Sequence, residues 1–290
     1  MHSALTARVR AASGLEWRWL WKRDILFGLS VAVVVGLLAL LGPSVVPHDP
    51  NSQKLAQAYQ PPVWLPGGDG EYLLGSDSLG RDILSRLVHG ARVALFVAVA
   101  ATIFSAAIGT TVGLLAGYYR GWVDEVVMRL VDMWMSFPPV LLAVVLMAVL
   151  GVGVLQVVLA IVLVDWTRFA RVIRGEVFNI RERDFIEAAR ALGMRDTSII
   201  WQEVMPNVIP LVVILASLEM GLAIIIEALL SFVGLGVEAS TPSWGSMISE
   251  GLGYLRVAPW GLAFPMAFLI ITVLAFNLLG DGLRKELDPR

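Results

Sequence analysis

Cysteine is absent from the 290 residues, and lysine occurs only at Lys22, Lys54 and Lys285. The first absence excludes disulfides, thiol nucleophiles and thiolate-ligated metals. The second removes any phosphate-binding loop. Such a loop needs a lysine directly behind its glycine turn, and these three follow Trp21, Gln53 and Arg284. Histidine is equally scarce, and His2, His48 and His89 lie too far apart to suggest a metal site. Charge is thin overall, at 16% of residues, with 22 basic against 24 acidic side chains and a formal net charge of −2. That balance offers no basic field for nucleic acid. No Ser/His, paired-Asp or HExxH arrangement falls on facing apolar segments, which leaves an intramembrane enzyme without a nucleophile and base.

What the chain has is apolar surface: 57% of residues are hydrophobic and the mean hydropathy is +0.76, values suited to lipid. The uncharged run from Ile25 to Val46 would be about 33 Å long as a helix, against a hydrocarbon core of roughly 30 Å. It ends in Gly42-Pro43 and has no Ala-x-Ala site, so it is predicted to be a first transmembrane helix and not a cleaved signal. Hydropathy predicts five further spans: Val93 to Tyr118, about Met133 to Leu150, about Leu155 to Phe169, Val208 to Leu235 and Gly261 to Gly280. The third and fourth divide an uncharged run from Met133 to Val164, which is broken at Gly151-Val152-Gly153.

Orientation follows from the basic residues, because cytoplasmic loops carry the excess of Lys and Arg. Six spans place 16 of them on the N-terminal side and 5 on the other, with Arg168 at a helix end, so both termini are expected in the cytoplasm. Trp17, Trp19 and Trp21, interleaved with basic residues, read as a headgroup belt before the first span. The polar, Pro- and Gly-rich stretch from Pro47 to Gly75 reads as an external loop. The segment Arg81 to Leu95 reads as an amphipathic helix lying along the outer surface, with Ile83, Leu84, Leu87 and Val88 on its apolar face.

Between the fourth and fifth spans the loop from Arg171 to Met205 is predicted to form a helix-turn-helix elbow. Its first helix, about Glu182 to Leu192, puts Phe185, Ile186, Ala189 and Leu192 on one face and Arg183, Glu187 and Arg190 on the other. Gly193 sits where a left-handed cap needs no side chain. Asp196 is a candidate N-cap for a second helix, Ser198 to Val204, that stops at Pro206. Small Ala188 and Ala189 beside the glycine turn suit an elbow seated in another protein's groove. Within the spans, Asp165, Glu219 and Glu227 would each cost on the order of 3 kcal/mol or more if charged and facing lipid. Asp165 and Arg168 are expected to pair within one helix. Glu219 and Glu227 must face protein or a cavity, and their spacing of eight residues allows both to border one cavity or interface. A cationic ligand group and a basic or amide group of a partner are both open as the companion of Glu219.

The string EAARALG, Glu187 to Gly193, followed by Ile199, Met205-Pro206 and Asn207, resembles the EAA loop of type I ABC importer permeases. Four further strings resemble the C-type permease of dipeptide, oligopeptide and nickel importers: LGSDSLGRDILSRLVHGAR (Leu74 to Arg92), RFARVIRGEVFNIRERDF (Arg168 to Phe185), EALLSFVGLG (Glu227 to Gly236) and TPSWG (Thr241 to Gly245). Together they cover most of the chain from Leu74 onward, in the family's order. Glu203 and Met205 depart from the basic or aromatic residue and the leucine expected before the proline, and Glu219 is less expected in its span.

The resemblance implies an all-α membrane protein of six transmembrane helices with the type I ABC importer permease fold and a cytoplasmic coupling helix. Residues 1–92 would hold the interfacial segment, first helix and external loop. Residues 93–290 would form the permease core, with the EAA loop at about 182–206. Phe185, Ile186, Glu187, Ala188, Ala189, Leu192 and Gly193 would contact a separate ATPase. This chain would bind no cofactor or metal, ATP and magnesium being held by the ATPase. Its partners would be a second related permease, one or two ATPases, an external solute-binding protein and membrane lipid, in a bacterial or archaeal plasma membrane. Di- or oligopeptides are the expected cargo, with nickel chelates, glutathione-like compounds or sugars as alternatives on the same architecture. An ion-coupled secondary transporter is the rival from another class; it would need paired repeats with broken helices, and no such repeat is visible.

Overall fold

The computed structural model describes Arg23 and residues 25–287. The tryptophan belt, the basic residues before Arg23, and Arg290 lie outside the described residues. The chain forms nine named helices among the described residues and no strand. They are α1 (Ile25–Leu41), α2 (Ile83–Tyr119), α3 (Gly121–Met135), α4 (Pro139–Leu150), α5 (Val154–Arg181), α6 (Asp184–Ala191), α7 (Asp196–Phe232), α8 (Trp244–Gly253) and α9 (Trp260–Leu287). By length and composition α2, α7 and α9 each suffice to cross a membrane. The pair α3 and α4 suffices only jointly, bent by 88°, and α1 is a shorter apolar helix.

Helix α2 is the central element, packed on α5 and α7. Its approach to α5 rests on glycines one turn apart. A Cβ on Gly109 would lie 2.3 Å from the carbonyl oxygen of Trp166, one on Gly113 2.7 Å from that of Ala170, and one on Gly117 2.7 Å from the Cβ of Val177. Within a bilayer such small residues let backbones meet and gain dispersion contacts that lipid cannot match. Toward one end, α1, α2, α4, α5, α7, α8 and α9 share an apolar core that includes Val35, Leu87, Val97, Met147, Ile161, Ile224, Trp244 and Phe276. Trp244 is fully buried and donates its indole N–H to the carbonyl of Leu87 at 3.0 Å.

The structure departs from the sequence expectation in four places. Arg81 to Leu95 is not a separate surface helix. From Ile83 it is the first part of the 37-residue α2, and Ile83, Leu87, Val88 and Arg86 are buried while Leu84 is half-buried. The third apolar segment is bent, because the Pro138-Pro139 pair interrupts the helix after Met135. The helix before this bend is α3. Ion pairs from Arg174 to Asp124 (2.5 Å) and from Arg171 to Asp132 hold it against α5. Pro206 does not stop its helix: the turn Ile199–Val204 is π-helical, and Met205 N–H donates to the carbonyl of Ile200, so the wider register delivers the chain to Pro206 without a break. The short α8 carried no periodic signal; Ser243 and Ser246 start it with a reciprocal capping box.

The stretch between α1 and α2 folds as a cap at the end opposite α6. Tyr72 is buried in it, stacked on His48 with ring centroids 5.1 Å apart. Lys54 donates to Glu71 and holds that carboxyl below its ordinary range. At the cap's base, buried Asp77 accepts from Arg81 Nε at 2.6 Å and from Arg86, while Glu250 of α8 accepts from Arg81 Nη2 at 2.6 Å and Arg86 Nη1 at 2.8 Å.

Candidate functional site

The elbow consists of α6, the turn after it and the first turns of α7. Helix α6 ends in a Schellman arrangement: Gly193 N–H donates to the carbonyl of Arg190 at 2.9 Å and Met194 N–H to that of Ala189 at 3.1 Å. Gly193 takes φ +78°, a left-handed value that costs side-chain-bearing residues roughly 1–2 kcal/mol. The next helix starts one residue earlier than a capping Asp196 would require. Arg195 is its N-cap, and the Asp196 carboxylate instead accepts from the Tyr118 hydroxyl at 2.7 Å.

The predicted apolar face of α6 is divided. Ile186 and Ala189 are buried in a second core with Leu114 and Tyr118 of α2, Ile173 and Val177 of α5, and Ile199 and Val204 of α7. Arg181 and Arg190 lie over the Tyr118 ring at 5.6 and 5.4 Å, and Arg120 pairs with Glu182 at 2.6 Å. The elbow is thereby fixed to the ends of α2, α5 and α7. The rest of the face points outward: Phe185 is 37% exposed, Leu192 83% and Trp201, on α7, 56%. Ala188 and Glu187 are also exposed, and the Glu187 carboxylate has no hydrogen bond or ion pair among the described residues. Spacing puts Phe185, Ala188 and Leu192 within about 60° of one another around α6. The elbow thus carries one buried anchor line and one bare apolar ridge.

The ionisable residues between the two ends do not pair as expected. Arg168 reaches across to α7, with Nη1 at 3.3 Å from both carboxylate oxygens of Glu219, and leaves buried Asp165 with one oxygen unpartnered. The α5–α7 contact wins because Arg168 Nη1 lies between both oxygens of Glu219 and joins opposite charges on two helices. Glu219 therefore has a companion within this chain, Arg168. Glu227 is fully buried, accepts from Ser231 Oγ at 2.7 Å and borders no surface of the chain. Its expected place on a pathway or interface is thus corrected to the interior, where serine hydroxyls can reach it.

Sequence reading also missed the glycine line of α2 and the Tyr118–Asp196 clasp. The first has a visible signal, Gly at every fourth position from 109 to 117; the second has none, since its members are 78 residues apart.

Residues 109–290, which hold the elbow and most of the helices around it, match the family model described as "Binding-protein-dependent transport system inner membrane component". The chain belongs to this family. Residues 25–62 match a second model, the N-terminal TM domain of oligopeptide transport permease C. The chain is 38% identical over 281 residues to a glutathione transport system permease protein of Pectobacterium atrosepticum, covering 94% of this chain and 91% of that one. It is 35% identical over 268 residues to a dipeptide transport system permease protein of Haemophilus influenzae, covering 92% and 91%. A chain of the inward-facing MetNI methionine ABC transporter superposes with a TM-score of 0.59 at 20% identity, covering 69% of this chain and 95% of that one. The protein is accordingly a membrane component of a transport system with the type I ABC importer permease fold. The secondary-transporter reading is set aside.

Proposed function

We propose that this chain is the C-type permease of an ATP-driven importer of di- or oligopeptides, and that the exposed ridge of α6 is its contact with the ATPase. The ridge carries the proposal: an apolar line of Phe185, Ala188 and Leu192 beside an unpaired Glu187, on an elbow braced against three long helices. Ile186, Ala189 and Gly193 set its shape, the first two as the buried anchor and the third as the turn. Six spans are inferred, α1, α2, the bent pair α3–α4, α5, α7 and α9, with both termini and the elbow in the cytoplasm, in agreement with the basic residues on that side. The ATPase holds ATP and magnesium, a second permease completes the pathway, and an external binding protein loads it at the cap. The side chain of Arg168 is 32% exposed, so the Arg168–Glu219 pair is only partly enclosed by this chain. Peptide as cargo draws on the relatives, among them a di/tripeptide permease of Pseudomonas aeruginosa and an oligopeptide permease of Bacillus subtilis. Glutathione is the second reading, favoured by relatives such as that of Escherichia coli, 44% identical over 220 residues.

The test is uptake into proteoliposomes that hold the chain with its neighbouring permease, ATPase and binding protein. Uptake of labelled dipeptide that requires ATP supports the peptide reading, and uptake of glutathione alone replaces it. Leu192→Asp puts a charge into the proposed contact; the loss of a central apolar anchor, about 2 kcal/mol, corresponds to roughly 30-fold weaker docking of the ATPase. Uptake should fall accordingly while the spans stay folded. Gly193→Val meets no neighbouring atom but strains φ +78°, so it should tilt the elbow and uncouple ATP turnover from uptake. Normal uptake by both variants would remove the ridge from the mechanism.

A further inference from the structure

On the elbow side of the molecule a cleft of about 440 Å³ opens between α5, α7 and α9. Its deep wall is apolar and includes Leu215 and Leu218, and its mouth carries Arg183, Arg284, Asn207 and Glu176. Neither arginine has an ion-pair partner among the described residues, and Glu176 meets only Asn179 at 3.5 Å. From Asn207 at the mouth to Leu218 at the top, α7 rises about 16 Å, half of a hydrocarbon core of roughly 30 Å. The cleft is therefore comparable in length to one leaflet and is lined by both charged and apolar side chains.

We infer that the cleft holds one anionic phospholipid of the elbow-side leaflet. Arg183 and Arg284 would take its phosphate, with the free amide hydrogen of Asn207 as a further donor, since the other is given to the carbonyl of Glu203 at 2.7 Å. Glu176 would accept from the hydroxyl or ammonium group of the same headgroup, and one acyl chain would cover the apolar wall. The mouth carries two positive charges against one negative, which favours an anionic headgroup over a zwitterionic one, and basic pockets between membrane helices are suited to such headgroups. A polar peptide segment would leave the apolar depth unfilled. The site also bears on the elbow, because the carbonyl of Arg183 accepts the N–H groups of Ile186 and Glu187 that open α6. A lipid gripping Arg183 would steady the elbow from its first residue. The inference stands whatever the cargo.

Native mass spectrometry of the assembled complex, extracted from membranes and supplied with phosphatidylglycerol, tests it. The wild-type complex should retain one phosphatidylglycerol in preference to phosphatidylcholine, and the double variant R183Q/R284Q should bind it about 30-fold more weakly, as expected from two basic groups near the surface. Equal retention by both complexes would overturn the inference. A photo-crosslinking residue at Leu215 in the otherwise unaltered chain reads the occupant directly. Crosslinking to phospholipid supports the site, whereas crosslinking to the second permease, or none to lipid, rejects it.

Discussion

Replacing Gly113 by leucine is expected to abolish assembly of the chain, leaving no stable protein in detergent extracts while Gly121→Ala is recovered at wild-type levels. Gly113 lies on the line of closest approach between α2 and α5. A Cβ there would already sit 2.7 Å from the carbonyl oxygen of Ala170 and 3.1 Å from the Cβ of Ile173 and the amide nitrogen of Arg174. Two of those three atoms are backbone, so no rotamer change relieves the overlap, and the helices must separate. Separation forfeits the contacts of the whole seam, including those made by Gly109 and Gly117 a turn to either side. Overpacked cores commonly lose about 1–3 kcal/mol, and a clash against backbone at the centre of a seam falls at or above the top of that range. The comparison position, Gly121, begins α3 and has open space around its Cβ; its φ of +54° imposes only the modest strain of one left-handed residue. Size-exclusion profiles of the two variants check the expectation. A monodisperse Gly113→Leu protein would mean that α2 and α5 do not meet as closely as described.

How much of this architecture can be read in the sequence depends on which force sets each part. Hydropathy locates the apolar helices because burial in lipid acts on each segment by itself, and the break at Gly151 to Gly153 is visible because both glycines take positive φ. The elbow is visible for a similar reason: its apolar period, its glycine and the EAARALG string are local. Which side of α6 is buried is not local. Phe185 and Leu192 share an arc with Ile186 and Ala189, and only the placement of Tyr118, Ile173 and Val204 decides that the second pair goes inward.

The errors have the same origin. Pro206 reads as a stop because a proline lacks a donor, but a π turn upstream changes which carbonyl is left without one. Asp165 and Arg168 read as a pair because they are three residues apart, yet Glu219 on the neighbouring helix offers two oxygens to Arg168. In both cases a contact between distant segments overrode a sound local rule. The cap is the extreme example. Its sequence shows no period, and its order comes from side chains such as Tyr72, His48 and Asp77 that find partners only in three dimensions.

Asp77→Ala is expected to destabilise the protein by about 3–5 kcal/mol, the range for removing one member of a buried ion pair. The Asp77 carboxylate is buried and accepts four hydrogen bonds, from the backbone N–H groups of Leu79 at 2.8 Å and Arg81 at 2.9 Å, from Arg81 Nε at 2.6 Å and from Arg86. Glu250 is the other carboxylate that these guanidinium groups meet, and its side chain is about one-third exposed, so water already shares it. Without Asp77 two buried cations would face each other across a single, partly solvated anion. The cap would then loosen from α2 and α8, because the same arginines carry its base to Glu250. Thermal unfolding of the purified complex should show the loss as a lower Tm, and proteolysis should cut first between Pro47 and Gly75. The double variant Asp77→Ala/Arg86→Met separates the cause from simple loss of packing. Removing the stranded cation should restore part of the stability, giving a coupling of opposite sign to additive loss. Strict additivity of the two single variants would show that Asp77 and Arg86 do not act as a pair. Full stability of Asp77→Ala alone would show that the cap is held by its aromatic contacts and not by its charges.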